Sequence, residues 1–372
     1  MTVNAMTVSA GQALAVLKAG WDAQRAGGLT ASWMLHGRPG IGKTQMVEAL
    51  ARHVGGPLYD VRLTQIDPTD LRGLPYYDHE RGRTRWYRPE DLPDGDAPAV
   101  LFLDEITAAS PLLQPTVYGL LQERRVGLHR IPDATLIVAA GNMVEDGAVA
   151  YEMGTALSDR LIHMVVRASA EDWIDGYAIP AKLHPAVTAF IKSRPDLLET
   201  IEASLRADHV IAATPRSWER VSRIMQSVDD RTLRAVMVAG TVGQAVASDF
   251  LPVADDVEAG VKVDEMVRAT RDERAAMYPE TLHGLNALVF GLVGYASPSN
   301  FEAVVETLLD IGDLARRRPD AAAFRALPLA EIATSGFESL IGRALALGLA
   351  DRLLAHPSYK AHTERRAALG LA

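Results

Sequence analysis

Gly37-Arg38-Pro39-Gly40-Ile41-Gly42-Lys43-Thr44 meets the pattern G-x-x-x-x-G-K-[ST] at every fixed position. It follows a short apolar run, Trp33-Met34-Leu35, and leads into Gln45-Met46-Val47-Glu48-Ala49-Leu50-Ala51, which has helical composition. A strand turning through glycines into a helix makes this part of the chain α/β. The glycines let successive backbone N–H groups turn inward around a polyphosphate, and the helix N-terminus behind them favours negative charge. Gly37, Pro39, Gly40, Ile41, Gly42, Lys43, Thr44 and Gln45 are therefore candidate nucleotide contacts. Lys43 would reach the β- and γ-phosphates, and the Thr44 hydroxyl would ligate Mg²⁺. The bland alternative is a glycine-rich turn with no ligand. Basic-residue usage weighs against it: of 38 Lys and Arg only six are Lys, and only Lys18 and Lys43 precede Lys182. A lysine in this slot, where arginine is the habitual basic residue, points to phosphate.

At 372 residues the chain exceeds what one hydrophobic core supports, so more than one domain is expected. The longest nearly apolar run, Ala235 to Ala247, has 13 residues and contains Gln244, too short to span a membrane. No basic segment followed by an apolar run stands at the N-terminus, so the expectation is a cytoplasmic protein. Without cysteine there are no disulfides, iron–sulfur clusters or thiolate zinc sites, and the ten histidines show no metal-site spacing. A net charge of −9 disfavours nucleic acid as the main partner, although a local groove could still be positive.

Leu14, Val16, Leu17 and Trp21 recur in a helix-compatible pattern over 9–26, either a covering helix or one packed near a nucleotide base. A strand is expected at Ser32–Leu35, a helix from the loop to about His53, and a second strand at Leu58–Leu63. Tyr76 to Tyr87 reads as two short aromatic strands joined near Gly82, a β-hairpin inserted into a helix. Its arginines and aromatics could suit nucleic acid, but Asp78, Glu80, Glu90 and Asp91 balance them, which favours polypeptide or structural use. Ala99-Val100-Leu101-Phe102-Leu103-Asp104-Glu105 is an apolar run ending in two carboxylates, a buried parallel strand whose end meets the ligand crevice. Asp104 would hold Mg²⁺ directly or through water, and Glu105 would polarise the attacking water. A helix is expected over 110–125, with Leu112, Leu113, Val117, Leu120 and Leu121 as its apolar face.

Thr135 to Gly141 is a further buried strand with Asn142 at its end, either bonding a γ-phosphate and a water or capping a turn. Arg160, before the strand Leu161–Val166, lies outside the expected pocket of its own subunit. It suits an arginine finger supplied to a neighbour, or else a surface ion pair. Thr214-Pro215 starts a helix, and Arg216 in its first turn opposes the helix dipole. That conflict is relieved if Arg216 faces a phosphate; otherwise the side chain snorkels to water.

Taken together, the loop at 37–44, the Asp104-Glu105 strand end, Asn142, Arg160 and Arg216 resemble the AAA+ ATPases. They stand in the order Walker A, Walker B, sensor 1, arginine finger, sensor 2. The hairpin at about 74–88 looks like the helix-2 insert of one AAA+ branch. Leu103-Asp104-Glu105-Ile106, Leu121-Gln122-Glu123-Arg124-Arg125-Val126 and Thr214-Pro215-Arg216-Ser217 are similar to the MoxR family within it. The resemblance covers roughly residues 10–250. It implies a P-loop αβα core with a five-stranded parallel sheet over 1–168, an all-α lid over 169–255, and an all-α C-terminal extension over 256–372.

It further implies ATP and Mg²⁺ as cofactors, with Thr44 and Asp104 on the metal and Glu105 as base. Asn142 would position the water, Arg216 would couple the γ-phosphate to the lid, and Arg160 would complete a neighbour's site. A hexameric ring, a protein client and a von Willebrand A domain partner follow from the same resemblance, with chaperone-like remodelling as the activity. Asp159-Arg160-Leu161 stands where Asp-Arg-Phe is usual, and Arg124 or Arg125 could share the trans-acting role. The rivals are a nucleic-acid-acting motor or loader of the restriction type and a non-hydrolysing nucleotide-dependent scaffold. ATP and GTP are not distinguished by any motif.

Overall fold

The computed structural model describes residues 3–143, 158–159, 161–357, 359–361 and 364. The chain divides into two compact units: Met1–Ser169 together with Ile201–Asp208, and Ala170–Thr200 together with His209–Ala372.

In the first unit, β1 (Thr7–Ser9), β2 (Ser32–His36), β3 (Leu58–Arg62), β6 (Ala99–Asp104), β9 (Thr135–Gly141) and β10 (Leu161–Arg167) form one sheet. Its order is β1-β10-β2-β9-β6-β3, and every pairing is parallel. Helices α1 (Ala10–Arg25), α2 (Lys43–Val54), α3 (Pro68–Arg72) and α4 (Gln114–Glu123) supply the layers. Alternation along the strands decides which side chain faces which layer. Trp33, Leu35, Val100, Phe102, Leu136 and Val138 join Leu17, Val47 and Leu50 of α1 and α2 in one core. Met34, Leu101, Leu103, Ile137 and Ala139 point the other way, to Leu71, Val117 and Leu120 of α3 and α4. Both faces are covered, which is why these strands read as continuous apolar runs.

The sheet has six strands rather than the five expected. The extra one, β1, is three residues long and half-polar, and it adds to the edge through main-chain pairing with β10 (Thr7 opposite Val165), leaving no apolar signature. Helix α4 begins at Gln114 rather than 110. The Ser110 hydroxyl accepts the Leu112 N–H at 3.3 Å, turning the chain so that Leu112 is exposed and Leu113 buried. The hairpin is present as β4 (Pro75–Asp78) and β5 (Arg83–Trp86), antiparallel, with the Tyr76 and Tyr87 rings stacked at 4.3 Å. A smaller hairpin, β7 (Arg125–Val126) and β8 (His129–Arg130), follows α4.

The second unit is helical. Its principal helices are α5 (Pro185–Ser193), α7 (Pro215–Ser227), α8 (Arg231–Val242), α9 (Gln244–Gly260), α10 (Leu282–Tyr295), α11 (Phe301–Asp310) and α12 (Leu329–Ala346); α6 (Ile201–Arg206) belongs to the first unit. Phe190, Trp218 and Phe250 meet pairwise at 5.4 Å between ring centroids and tie α5, α7 and α9 together. Arg234 grips Glu258 through both carboxylate oxygens at 2.7 and 2.8 Å. Buried Asp310 is held by Arg271 at 2.9 Å and Arg317 at 3.0 Å.

Candidate nucleotide site

Three neighbouring parallel strands, β2, β9 and β6, end at one edge of the sheet, and each carries site residues just past or at its end. From β2 the chain enters the loop 37–42. Gly40 and Gly42 have φ of 77° and 97°, values that L-residues with a side chain rarely take, so the loop turns only because these positions are glycine. Helix α2 starts at Lys43 with Gly42 as its cap, leaving its first N–H groups directed at the loop. Thr44 and Gln45 follow in the first turn, both partly buried, while Pro39 is exposed and Ile41 buried.

The Lys43 ammonium donates to the carbonyls of Gly37 (2.5 Å) and Arg38 (3.1 Å) and to Asn142 Oδ1 (3.0 Å). Lysine and sensor-type asparagine, 99 residues apart, thus share a hydrogen bond across the β2–β9 pair. The Asn142 N–H donates to the Thr107 hydroxyl at 3.0 Å. Gly141 makes that approach possible: a Cβ there would sit 2.6 Å from both Thr107 Oγ1 and Cγ2. Thr107 stands three residues past Asp104 and was invisible as a site residue, its only signal being a threonine just after the acidic pair.

Asp104 ends β6 and accepts the Glu105 N–H at 2.9 Å. Burial pushes the Asp104 carboxyl above its ordinary range, against the Glu105 N–H and the Lys43 ammonium, and the charges of Asp60 and Glu105 add to the rise. A partly buried carboxylate held up in this way gains from a nearby cation. With the Thr44 hydroxyl it offers hard oxygens of the kind that would suit Mg²⁺. Glu105 adopts φ 59° and ψ 33°, a left-handed conformation uncommon for a residue with a side chain. Its carboxylate accepts a short hydrogen bond from the Thr64 hydroxyl, just beyond β3. Thr64 too was missed, because only the β3–β6 pairing brings it to Glu105.

Behind the loop, His36 Nε2 lies 2.8 Å from His163 Nδ1, and His163 Nε2 lies 3.0 Å from the Ser158 carbonyl oxygen. A carbonyl only accepts, so His163 donates from Nε2 and, when neutral, receives at Nδ1 from the His36 Nε2–H. His36 is lowered to about 4, by burial first and then by His163 and Lys43. The ring is therefore neutral at physiological pH.

Arg160 lies outside the described residues. Arg216 stands exposed in the first turn of α7, whose cap is Thr214: the Ser217 N–H reaches the Thr214 hydroxyl at 3.1 Å. Arg124 and Arg125, the two arginines considered for a shared trans-acting role, both meet carbonyls of their own chain. Arg124 is buried, its guanidinium donates to the carbonyls of Pro132 (2.8 Å) and Thr135, and it braces the small hairpin against the start of β9. Arg125 donates to the Gly127 carbonyl at 2.7 Å within the same turn.

Residues 32–161 match the family model described as AAA domain, dynein-related subfamily. The chain is similar to Chaperone MoxR1 of Mycobacterium tuberculosis, 31% identical over 140 residues, 36% of this chain and 35% of that protein. It is also similar to Protein MoxR of Paracoccus denitrificans, 27% identical over 298 residues, 74% of this chain and 84% of that protein. The match to MoxR1 thus spans about a third of that relative's length, and the match to Protein MoxR most of it. Among solved structures, the RuvB Holliday junction branch migration motor of Thermotoga maritima aligns at 13% identity over 90% of this chain and 86% of its own. Its TM-score is 0.32, too slight a likeness to bear on function. Residues 32–161 thus carry an AAA domain, and the named relatives, with the order of the phosphate-loop and acidic motifs, make the chain similar to the MoxR family of AAA+ ATPases.

Proposed function

We propose that the protein hydrolyses ATP with Mg²⁺ as a ring oligomer and uses the cycle to remodel or activate a partner protein complex. The observation that supports this reading is the Lys43–Asn142 contact at the same sheet edge as Asp104 and Glu105: an ammonium, an amide and two acids, the groups phosphoryl transfer uses. The loop 37–44 would bind the phosphates, and Lys43 would exchange its loop carbonyls for phosphate oxygens. Thr44 and Asp104 would hold Mg²⁺, which supplies charge neutralisation to the departing phosphate. Glu105 would take the proton of the attacking water while Asn142 orients it. Arg160 would act on a neighbour's nucleotide, and Arg216 would carry the γ-phosphate signal from the core of 1–168 to a lid formed by 169–255.

A protein client is favoured over nucleic acid by the hairpin. Two of its four arginines are engaged, Arg85 with Asp78 at 3.7 Å and Arg88 with the Arg130 carbonyl at 3.2 Å, while Arg81 and Arg83 are exposed and Arg72 of α3 lies over the Trp86 ring at 4.4 Å. Leu74, Tyr77 and Tyr87 are instead exposed, an apolar surface suited to polypeptide. A von Willebrand A domain protein is the partner expected of this family. The shared-site element is tested by mixing Arg160→Ala with Glu105→Gln subunits. Each alone is expected to bind ATP and lose hydrolysis, by about 10³-fold or more for the arginine. Mixtures regain part of the activity if the arginine acts in trans, and stay inactive at every ratio if it does not.

A further inference from the structure

The segment 201–208 packs with the first unit although the chain on either side of it belongs to the second. Its two ends are stapled together within the second unit: the Thr200 N–H donates to the Ala213 carbonyl at 3.0 Å, and the Ala213 N–H to the Thr200 hydroxyl at 2.8 Å. Residues 201–212 are thus an excursion with a closed stem. Ala213 is buried, and the next residue is Thr214, the cap of α7, with Arg216 in its first turn. Behind the stem, the Trp218 indole N–H is fixed on the Leu197 carbonyl at 2.9 Å.

At the other end of the excursion, Glu202 of α6 accepts a hydrogen bond from Arg38 at 3.1 Å, and Arg38 is a residue of the phosphate loop itself. Arg38 is largely covered whereas Glu202 is half exposed. Glu202 also pairs with Arg206 one turn on, and Arg167 at the end of β10 adds its charge. The carboxylate is therefore surrounded by arginines, one of which belongs to the phosphate loop.

We propose that Glu202 is a positioning residue for the phosphate loop, and that 201–212 is a strap carrying the state of that loop to the N-terminus of α7. The inference rests on the loop being a triphosphate site. A polyphosphate and a carboxylate compete for one guanidinium and repel one another, so occupancy of the loop and docking of α6 oppose each other, and by linkage each weakens the other. Because the stem is closed by two hydrogen bonds, release of α6 acts on the residue next to the α7 cap rather than being lost in a slack loop. The energy involved is that of a screened surface charge pair, so the effect is a modulation of affinity and turnover, weaker at high salt.

The test uses the full chain and a non-hydrolysable ATP analogue with Mg²⁺, measuring affinity and hydrogen exchange of 201–212. In the native protein, exchange in this segment is expected to rise on binding. Glu202→Gln keeps the shape and removes the charge. It is expected to show fast exchange without nucleotide, to bind the analogue about fivefold tighter, and to lower kcat together with KM. Glu202→Asp is expected to restore most of the coupling, and Arg206→Ala, which touches Glu202 but lies off the loop, to leave affinity near native. Unchanged exchange on binding, or a native affinity in Glu202→Gln, overturns the strap while the nucleotide site stands. A native protein that binds no analogue overturns both.

Discussion

Gly141→Ala is the sharpest perturbation of the site, because it adds one methyl and removes no polar group. The new Cβ would lie 2.6 Å from Thr107 Oγ1 and Cγ2 and 3.1 Å from the Met34 methyl. Met34 can yield by turning its flexible end. Thr107 is only 6% exposed and its hydroxyl holds the Asn142 N–H, so moving it breaks that bond. Overpacking of this kind costs about 1–3 kcal/mol, and the lost hydrogen bond adds about 1 kcal/mol. A total of about 2–4 kcal/mol corresponds to a fall in melting temperature of roughly 5–15 °C for a unit of this size. Hydrolysis should fall further than the loss of folded protein explains, since Asn142 also carries the contact to Lys43. The assay is thermal unfolding followed by circular dichroism, alongside phosphate release from the folded fraction. Thr107→Ala removes the clash, so the double variant should be more stable than Gly141→Ala alone, a coupling of about 1–3 kcal/mol. A Gly141→Ala protein that melts like the native one, or strictly additive single effects, would refute the close-approach argument.

Two further outcomes concern groups around the site. His36 is lowered from 6.5 to about 4, so below pH 6.5 the unfolded chain binds a proton that the folded chain refuses. The stability of the neutral ring is therefore complete above about pH 6.5 and lost as pH falls towards 4, by roughly 3 kcal/mol at most. Denaturant midpoints at pH 7.5 and 5 should differ more for the native protein than for His36→Gln; equal differences would count against a buried neutral ring. Arg124→Met keeps the bulk of a buried side chain and removes one donor each from the Pro132 and Thr135 carbonyls, which keep the Thr135 N–H and Gln24 Nε2 as partners, and should cost about 1–2 kcal/mol in denaturant titration. Hydrolysis per folded molecule should be unchanged if Arg124 only braces its own chain, whereas a selective loss of turnover would support a trans-acting role.

Much of this was legible because the chemistry is local. The phosphate loop announces itself since glycines, lysine and threonine must stand at fixed offsets between a strand and a helix. Asp104 and Asn142 were readable because buried parallel strands are continuous apolar runs and the residue that ends each one stands out. What escaped notice depends on pairing between distant segments. Thr64 reaches Glu105 only through the β3–β6 register, His36 meets His163 only because β2 and β10 are neighbours, and Glu202 meets Arg38 across 164 positions. None of these residue types signals a site by itself. β1 was missed for a related reason, as an edge strand of three residues is held by main-chain bonds and carries no pattern. Arg124, open beside Arg125 as a trans-acting candidate, carries no sign in the sequence that its guanidinium meets the carbonyls of Pro132 and Thr135.

Calorimetric titration of Glu105→Gln with Mg·ATP, with phosphate counted in the same sample, bears most directly on the nucleotide site. Binding heat close to that of the native protein with no phosphate released is the predicted result. Absence of heat in both proteins, or phosphate released at the native rate by the variant, would contradict the assignment of this edge as an ATP-hydrolysing centre.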